Sequence, residues 1–334
     1  MTLTQLRYLV AIVDAGLNIT QAAEHVHATQ SGLSKQLKQL EERLGTLLFV
    51  RRGRSLETLT PDGRAIVERA RRILAEAENI RAHAANQRGD ATGTLSVVTT
   101  HTQARFVLPP ALSRLRQEFP DLNLRLEPAG DAEVMQRLGA GEADLALIST
   151  SSLAPDGGLA VPLFRWSRKV LVPAGHPLAT QAESPSLADL AAWPLVSYES
   201  SLRPDSSLQR ALSREGLRAN ITVTARDADL IKTYVQAGMG VGLLAEMALD
   251  PDGEAGFSVL PAPAALRECV AWAVLPSGRV ARNYTLELIL ALAPWLDRHD
   301  LRRAASGVST PKWPEAPIWS AVGHPKPGHP PASA

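Results

Sequence analysis

Residues 20–44 read TQAAEHVHATQSGLSKQLKQLEERL, a stretch patterned as two short helices joined by a tight turn. Leu33, Leu37, Leu40 and Leu44 recur at helical spacing and would face a core. Gln30, Ser31, Ser34, Lys35 and Lys38 fall on or near the opposite face, with no acid until Glu41. A polar, basic face on the second helix of such a pair suits the major groove of DNA. Thr20 and Ser31 are candidate N-caps for the two helices, since a hydroxyl there can satisfy a free N–H. Gly45 closes the second helix, with Arg43 in its last turn where a cation suits the helix dipole.

Upstream, Thr2 and Gln5 have the spacing of a capping box, opening a helix whose core face is Leu6, Leu9, Val10 and Val13. Downstream, residues 47–60, LLFVRRGRSLETLT, alternate as a short hairpin around Gly53. Arg51, Arg52 and Arg54 cluster at its tip. Beside a helix-turn-helix such a wing can reach phosphates or a minor groove; the plainer alternative is a solvated turn. A long helix then runs from Thr60-Pro61 to about Gln87. Along it Ile66, Ile73 and Ile80 recur every seventh residue, interleaved with Ala70 and Ala77. So narrow a seam cannot bury itself, which predicts pairing with a second copy; the alternative is packing against the chain's own first helices.

At 334 residues the chain is too long for this module alone. Its net charge of +1 leaves no global electrostatic footprint for nucleic acid, so the local placement of cations carries the argument. The lone Cys269 excludes an intrachain disulfide and a cysteine metal site. The N-terminus lacks a secretory pattern, and no apolar run approaches the roughly 20 residues that span a bilayer, so a cytoplasmic protein without membrane contact is expected.

Past a glycine-bearing hinge at 89–93 the pattern becomes alternating strands and helices. Strands are expected at 95–99, 122–126, 145–149, 169–173, 194–197, 221–224, 241–244 and 269–275, and helices at 110–118, 132–138 and, last, 282–296. That predicts mainly parallel sheets in two lobes with a cleft between them. The expected divisions are 1–60 for a winged helix-turn-helix, 61–90 for the linker helix and hinge, and 91–300 for a two-lobed α/β domain like a periplasmic binding protein. Residues 301–334, rich in proline and glycine, read as a disordered tail, with Trp313 and Trp319 as anchors for a partner in the alternative.

The run TTHTQAR at 99–105 follows an apolar strand and precedes a helix, the place where open α/β sheets put ligands. Thr99, Thr100, Thr102 and Gln103 offer hydroxyl and amide donors there, suited to a small anion; simple N-capping by one threonine is the alternative. A solute-binding receptor would need export, and an enzyme would need a catalytic motif such as GxSxG or HExxH, of which the sequence has none. Neither would explain the basic helix face.

The segments LRYLVAIVDAGLNITQAAEHVHATQSGLSKQLKQLEERLGTLLFVRRGR and LTPDGR resemble the DNA-binding domain of LysR-type transcriptional regulators. Within that family TTHTQAR at 99–105, HPLA at 176–179 and DADLIKTYVQAGMGVGLLA at 227–245 look most like the CysB-like subgroup of cysteine-biosynthesis activators. The resemblance implies a homodimer or homotetramer on double-stranded promoter DNA, acting with RNA polymerase. It also implies an acetylserine-type, sulfate or thiosulfate effector and no cofactor. Thr100, Thr102 and Gln103 would line the effector site, with Ser149 where the subgroup has threonine, Trp166 across the cleft, and Arg203 near a position where the subgroup has another hydroxyl residue. DNA contacts are expected from Thr20, Gln30, Ser31, Ser34, Lys35, Lys38, Arg51, Arg52 and Arg54.

Overall fold

The computed structural model describes residues 1–321 apart from 54, 152, 182–183, 251–252 and 310. The chain divides into two compact units, Met1–Arg88 with Gly278–Val280, and Gly89–Ser277 with the chain from Ala281 onward.

In the first unit α1 (Leu3–Asp14) opens on the expected capping box, Thr2 accepting from the Gln5 N–H and Gln5 accepting from Thr2. The caps of the next two helices differ from expectation. Asn18, not Thr20, caps α2 (Ile19–His25), accepting from the N–H groups of Thr20 and Gln21. Thr29, not Ser31, caps α3 (Gln30–Leu44). His27 turns the chain at φ 52, which leaves Thr29 extended and puts Ser31 inside the first turn with helical backbone. A cap must sit just outside the helix with its backbone extended, so the earlier residue wins in each case. Gly45 ends α3 in the left-handed region, as expected.

The wing is the hairpin β1 (Phe49–Arg52) and β2 (Ser55–Leu59), and it leads into α4 (Pro61–Arg88). Leu6, Leu9, Ile12, Leu33, Leu37, Leu40, Leu48 and Phe49 form one core with Val67 and Ala70 of α4. The heptad seam therefore splits. Ile66 packs against the chain's own core and Ala70 is fully buried there, which removes Ala70 from the expected dimer contacts. Beyond it Ala77 is half-buried, while Ile73 and Ile80 are 40% and 66% exposed.

The second unit has two five-stranded sheets. In chain order its elements are β3 (Gly93–Thr99), α5 (His101–Phe106), α6 (Leu108–Glu118), β4 (Leu122–Pro128), α7 (Asp131–Ala140), β5 (Leu145–Thr150), β6 (Gly158–Trp166), β7 (Arg168–Pro173), α8 (Leu187–Ala191) and β8 (Leu195–Tyr198). There follow α9 (Ser207–Arg214), β9 (Ile221–Ala225), α10 (Ala228–Gln236), β10 (Val241–Ala245), β11 (Phe257–Pro261), β12 (Cys269–Pro276), α11 (Asn283–Leu292) and α12 (Arg298–Ala305). One sheet runs β4-β3-β5-β12-β6 and the other β11-β7-β10-β8-β9.

Both sheets are mixed and not mainly parallel. Strands β3, β4 and β5 are parallel to one another, as are β8, β9 and β10, but β12 is antiparallel to β5 and β6, and β7 to β10 and β11. The reversed strands are the ones that follow the two crossings between lobes, β7 after β6 and β12 after β11. The sequence reading missed β6 and β11. Pro162 argues against a strand, yet it sits where the β12–β6 register shifts between Ala271 and Trp272, a place where proline is tolerated.

The C-terminal region is the largest departure. The expected last helix, 282–296, is α11 alone, and α12 follows it with Leu301 and Ala304 buried. Residues 313–319 then lie against the β6 edge, with Trp313 Nε1 donating to the Ala160 carbonyl at 2.9 Å and the Trp319 ring 4.7 Å from that of Phe164. The expected tail is thus packed structure at 301–305 and 313–319, and residues 322–334 lie outside the described residues. Prolines lack a donor but keep a carbonyl acceptor, so an aperiodic proline-rich segment can still dock on a sheet edge. No helix of the described residues is long and apolar enough to cross a membrane.

Candidate functional site

The first candidate surface is the outer face of α3. Its leucines Leu33, Leu37 and Leu40 are buried, which turns Gln30, Ser31, Lys35 and Lys38 outward, with Ser34 half-buried beside them. Thr20, at the start of α2, is exposed as well. Lys38 lies 3.8 Å from Glu42, both well exposed, a pair too weak and too solvated to hold the lysine away from a stronger anion. The turn after α2 and the Thr29 cap fix where α3 begins, and Gln5 of α1 reaches Gln36 at 3.1 Å to fix its rotation.

The wing is held by a residue the sequence reading passed over. Glu41 is buried at the base of α3, where one carboxylate oxygen accepts the Leu48 N–H at 2.9 Å and the other meets Arg51 at 2.7 Å. Arg51 is therefore paired within the protein although 43% exposed, and Arg52 beside it is exposed as well. Arg54 lies outside the described residues. The available signal was an acid at the buried spacing of α3, one residue after Leu40. Glu41→Leu is expected to lower unfolding free energy by about 2 kcal/mol, because the Leu48 N–H loses its acceptor. Glu41→Gln, which can still accept that bond, should lose less than half as much. Urea denaturation of the full chain measures both, and equal midpoints for wild type and the leucine variant would refute the role.

The second candidate site is the cleft of the α/β unit. Thr99 at the end of β3 is buried, and Thr100 caps α5 without spending its hydroxyl on a capping bond. The short α5 leaves its first N–H groups without helical partners. Gln103 is buried and donates through Nε2 to Ser149 Oγ at 2.9 Å, at the end of β5. Trp166 Nε1 donates to the same oxygen at 3.0 Å. Three expected residues thus meet at one hydroxyl. A serine oxygen has two lone pairs and one hydrogen, so if it accepts both bonds its own hydrogen remains to be donated. If the Gln103 amide is turned instead, its NH2 group becomes the spare donor. Either arrangement leaves donor hydrogens for an anionic ligand. The Gln103 and Thr99 side-chain oxygens have no hydrogen-bond partner among the described residues.

Trp166 does not stand across the cleft. It ends β6, in the same sheet as Ser149, and is almost buried. The opposite wall is Tyr198, which the sequence reading omitted. Its hydroxyl accepts from Thr102 Oγ1 and from the Ala245 N–H, both at 3.3 Å, and burial pushes its pKa up. Two further bonds join the lobes, Arg105 to Asp229 at 2.5 Å and Arg210 to Ser151 Oγ at 3.1 Å. Arg203 is paired elsewhere. Its guanidinium grips Asp205 through Nε at 3.1 Å and Nη2 at 2.7 Å, which raises its pKa and lowers that of Asp205. It is thus paired at the surface, and the donors that converge in the cleft are hydroxyl, amide and indole groups.

Two family descriptions match this division. Residues 3–64 match the bacterial regulatory helix-turn-helix protein, lysR family, and residues 88–297 the LysR substrate binding domain. Among curated relatives, the HTH-type transcriptional regulator Cbl of Klebsiella aerogenes is 37% identical over 306 residues, 91% of this chain and 96% of its own. SsuR of Burkholderia cenocepacia is 36% identical, covering 90% and 97%, and CysB of Haemophilus influenzae 35%, covering 91% and 94%. Among solved structures, the cofactor-binding domain of the Cbl transcriptional regulator superposes with a TM-score of 0.59 at 34% identity, over 65% of this chain and 94% of that one. Full-length OxyR of Pseudomonas aeruginosa gives 0.66 at 26% identity, over 87% and 97%. With both its domains matched and its relatives aligned nearly end to end, the chain belongs to the LysR family of transcriptional regulators.

Proposed function

We propose that this regulator controls genes of sulfur assimilation and cysteine biosynthesis in response to a small anion, either an acetylserine-type inducer or sulfate or thiosulfate. The observation that carries the effector class is the convergence of Gln103 and Trp166 on the Ser149 hydroxyl, beside Thr100 and Thr102 at the start of α5. That set is rich in hydroxyl, amide and indole donors, which suits an oxyanion held by hydrogen bonds. The regulon follows from the relatives, which include Cbl, SsuR and CysB. On DNA, Gln30, Ser31, Ser34, Lys35 and Lys38 are the groove-facing set, with Thr20 and Arg52 as flanking contacts. Ile73, Ala77 and Ile80 form the remaining seam for a second copy, which would pair two readers over two half-sites. Contact with RNA polymerase belongs to the same proposal for its activating role.

Genome-wide footprinting with and without sulfate limitation tests the reading. Occupancy should concentrate at promoters of sulfur-assimilation genes and change when sulfate is withdrawn. Lys35→Ala should weaken that occupancy about tenfold, the worth of one base or phosphate contact. Occupancy elsewhere, indifferent to sulfate, would sink the regulon, and an unaffected Lys35→Ala would remove that residue from the interface.

A further inference from the structure

The packed C-terminal segment does more than cover an edge. Strand β6 is the last strand of its sheet, and on its open side Arg165 donates its backbone N–H to the Pro317 carbonyl at 2.7 Å, forming a parallel bridge with Ile318. The Arg165 side chain holds the same segment, donating through Nε to the Ala316 carbonyl at 2.9 Å and pairing with Glu315 at 2.7 Å. Glu268, on the side of β12, lies 3.5 Å from the same guanidinium, so Arg165 ties the segment to two strands. Trp313 anchors the other end through its bond to Ala160. Ala316 is buried, and both tryptophans pack on the lobe's main core.

Side chains two apart on a strand share a face. Phe164, on which Trp319 packs, therefore shares a face with Trp166, whose indole donates to Ser149 in the cleft. Arg165 stands between them, and its backbone is held by Pro317. The Arg168 guanidinium lies 5.6 Å from the Trp166 indole. The segment thus holds the two residues before Trp166, Phe164 through the Trp319 ring and Arg165 through its backbone, while Ser149 accepts from the indole itself. Trp166 is the last residue of this edge strand, and beyond it Ser167 is held by Glu246, which accepts its N–H at 2.9 Å, so the segment supplies the hold on the residues before the indole.

We propose that residues 313–319 form a strap that positions Trp166, and through it the Ser149 hydroxyl, for ligand binding in the cleft. The strap acts as a positioning element and touches no ligand itself; the binding half of the proposal rests on the effector reading above.

The test uses the full chain labelled with fluorotryptophan and observed by fluorine NMR, with the Trp166 signal assigned by its disappearance in Trp166→Phe. Three chains are compared: wild type, one ending at residue 309, and one ending at residue 321 as the control that keeps the strap. The shortest chain should show Trp166 newly sensitive to exchange of H2O for D2O, while Trp193 in the other lobe stays as it was. Its affinity for sulfate by calorimetry should fall about tenfold, the worth of one well-placed hydrogen bond. The 321-residue chain should match wild type in both. Trp319→Leu in the full chain keeps an apolar filler and should move Trp166 in the same direction, which guards against misfolding of the truncated form. An unchanged Trp166 signal in the shortest chain and in Trp319→Leu overturns the proposal. A displaced Trp166 with undiminished sulfate affinity overturns its functional half. If wild type itself fails to bind sulfate, the effector reading fails, and the Trp166 signal still decides whether the strap holds the indole.

Discussion

Gly63→Ala should destabilise the DNA-binding unit by about 3 kcal/mol, at the upper end of what overpacking costs, with promoter binding lost in proportion. Helix propensity alone predicts the opposite sign, since alanine is better than glycine inside a helix by about 1 kcal/mol. Geometry decides. A Cβ at Gly63 would lie 2.0 Å from the Leu48 carbonyl oxygen and 2.9 Å from its carbon, and backbone cannot swing aside as a side-chain tip can. That carbonyl is already engaged, accepting the Thr60 N–H at 3.0 Å with Thr60 Oγ1 at 3.3 Å. The same hydroxyl accepts the Gly63 N–H at 2.8 Å, closing the first turn of α4. Leu48 is therefore a junction. Its N–H is bound by Glu41 of the recognition helix α3, and its carbonyl meets the start of α4. Pushing the two apart would loosen the wing, α3 and α4 together. Urea denaturation followed by helix signal, with gel-shift titration alongside, measures the effect. Stability within about 0.5 kcal/mol of wild type, the usual range for an inconsequential surface change, would show that the junction yields.

Much of this architecture is legible in the sequence because it is written in periodic apolar residues. Leu33, Leu37 and Leu40 identify the buried side of α3, and the eight expected strands all form within a residue or two of their apolar runs. What escaped was written in single polar residues and in backbone. Glu41 looks like one more surface acid until Leu48 folds back beside it. Asn18 and Thr29 precede the more conspicuous Thr20 and Ser31, and only the turn geometry tells which is the cap. The seam on α4 is periodic along its length, but periodicity cannot say that Ala70 meets its own domain while Ile80 stays exposed. Arg203 carries the right charge for an anion site, yet Asp205 two residues on claims it. The strap was hidden for a different reason. Proline-rich sequence lacks any repeat, and its docking depends on an edge strand, β6, that Pro162 itself disguised.

The cleft carries the other large prediction. Ser149→Ala should destabilise the α/β unit by about 2–4 kcal/mol, because one small substitution strips the acceptor from two donors at once, the Gln103 amide and the Trp166 indole. Both donors belong to almost fully buried side chains, so water cannot readily replace the lost oxygen. Sulfate affinity should fall more than tenfold, as the spare hydrogen of the trio and the orientation of both partners go together. Ser149→Thr separates chemistry from volume. It keeps the hydroxyl, adds a methyl group, and suits a strand position through its β-branch, so it should stay within about 1 kcal/mol of wild type. Tryptophan fluorescence during urea unfolding and calorimetry with sulfate are the two readouts. Should Ser149→Ala lose stability yet bind sulfate as wild type does, the trio is a structural clasp and the ligand sits elsewhere among Thr100, Thr102 and Tyr198. Should it lose binding while Ser149→Thr retains it, the hydroxyl itself is the reader of the anion.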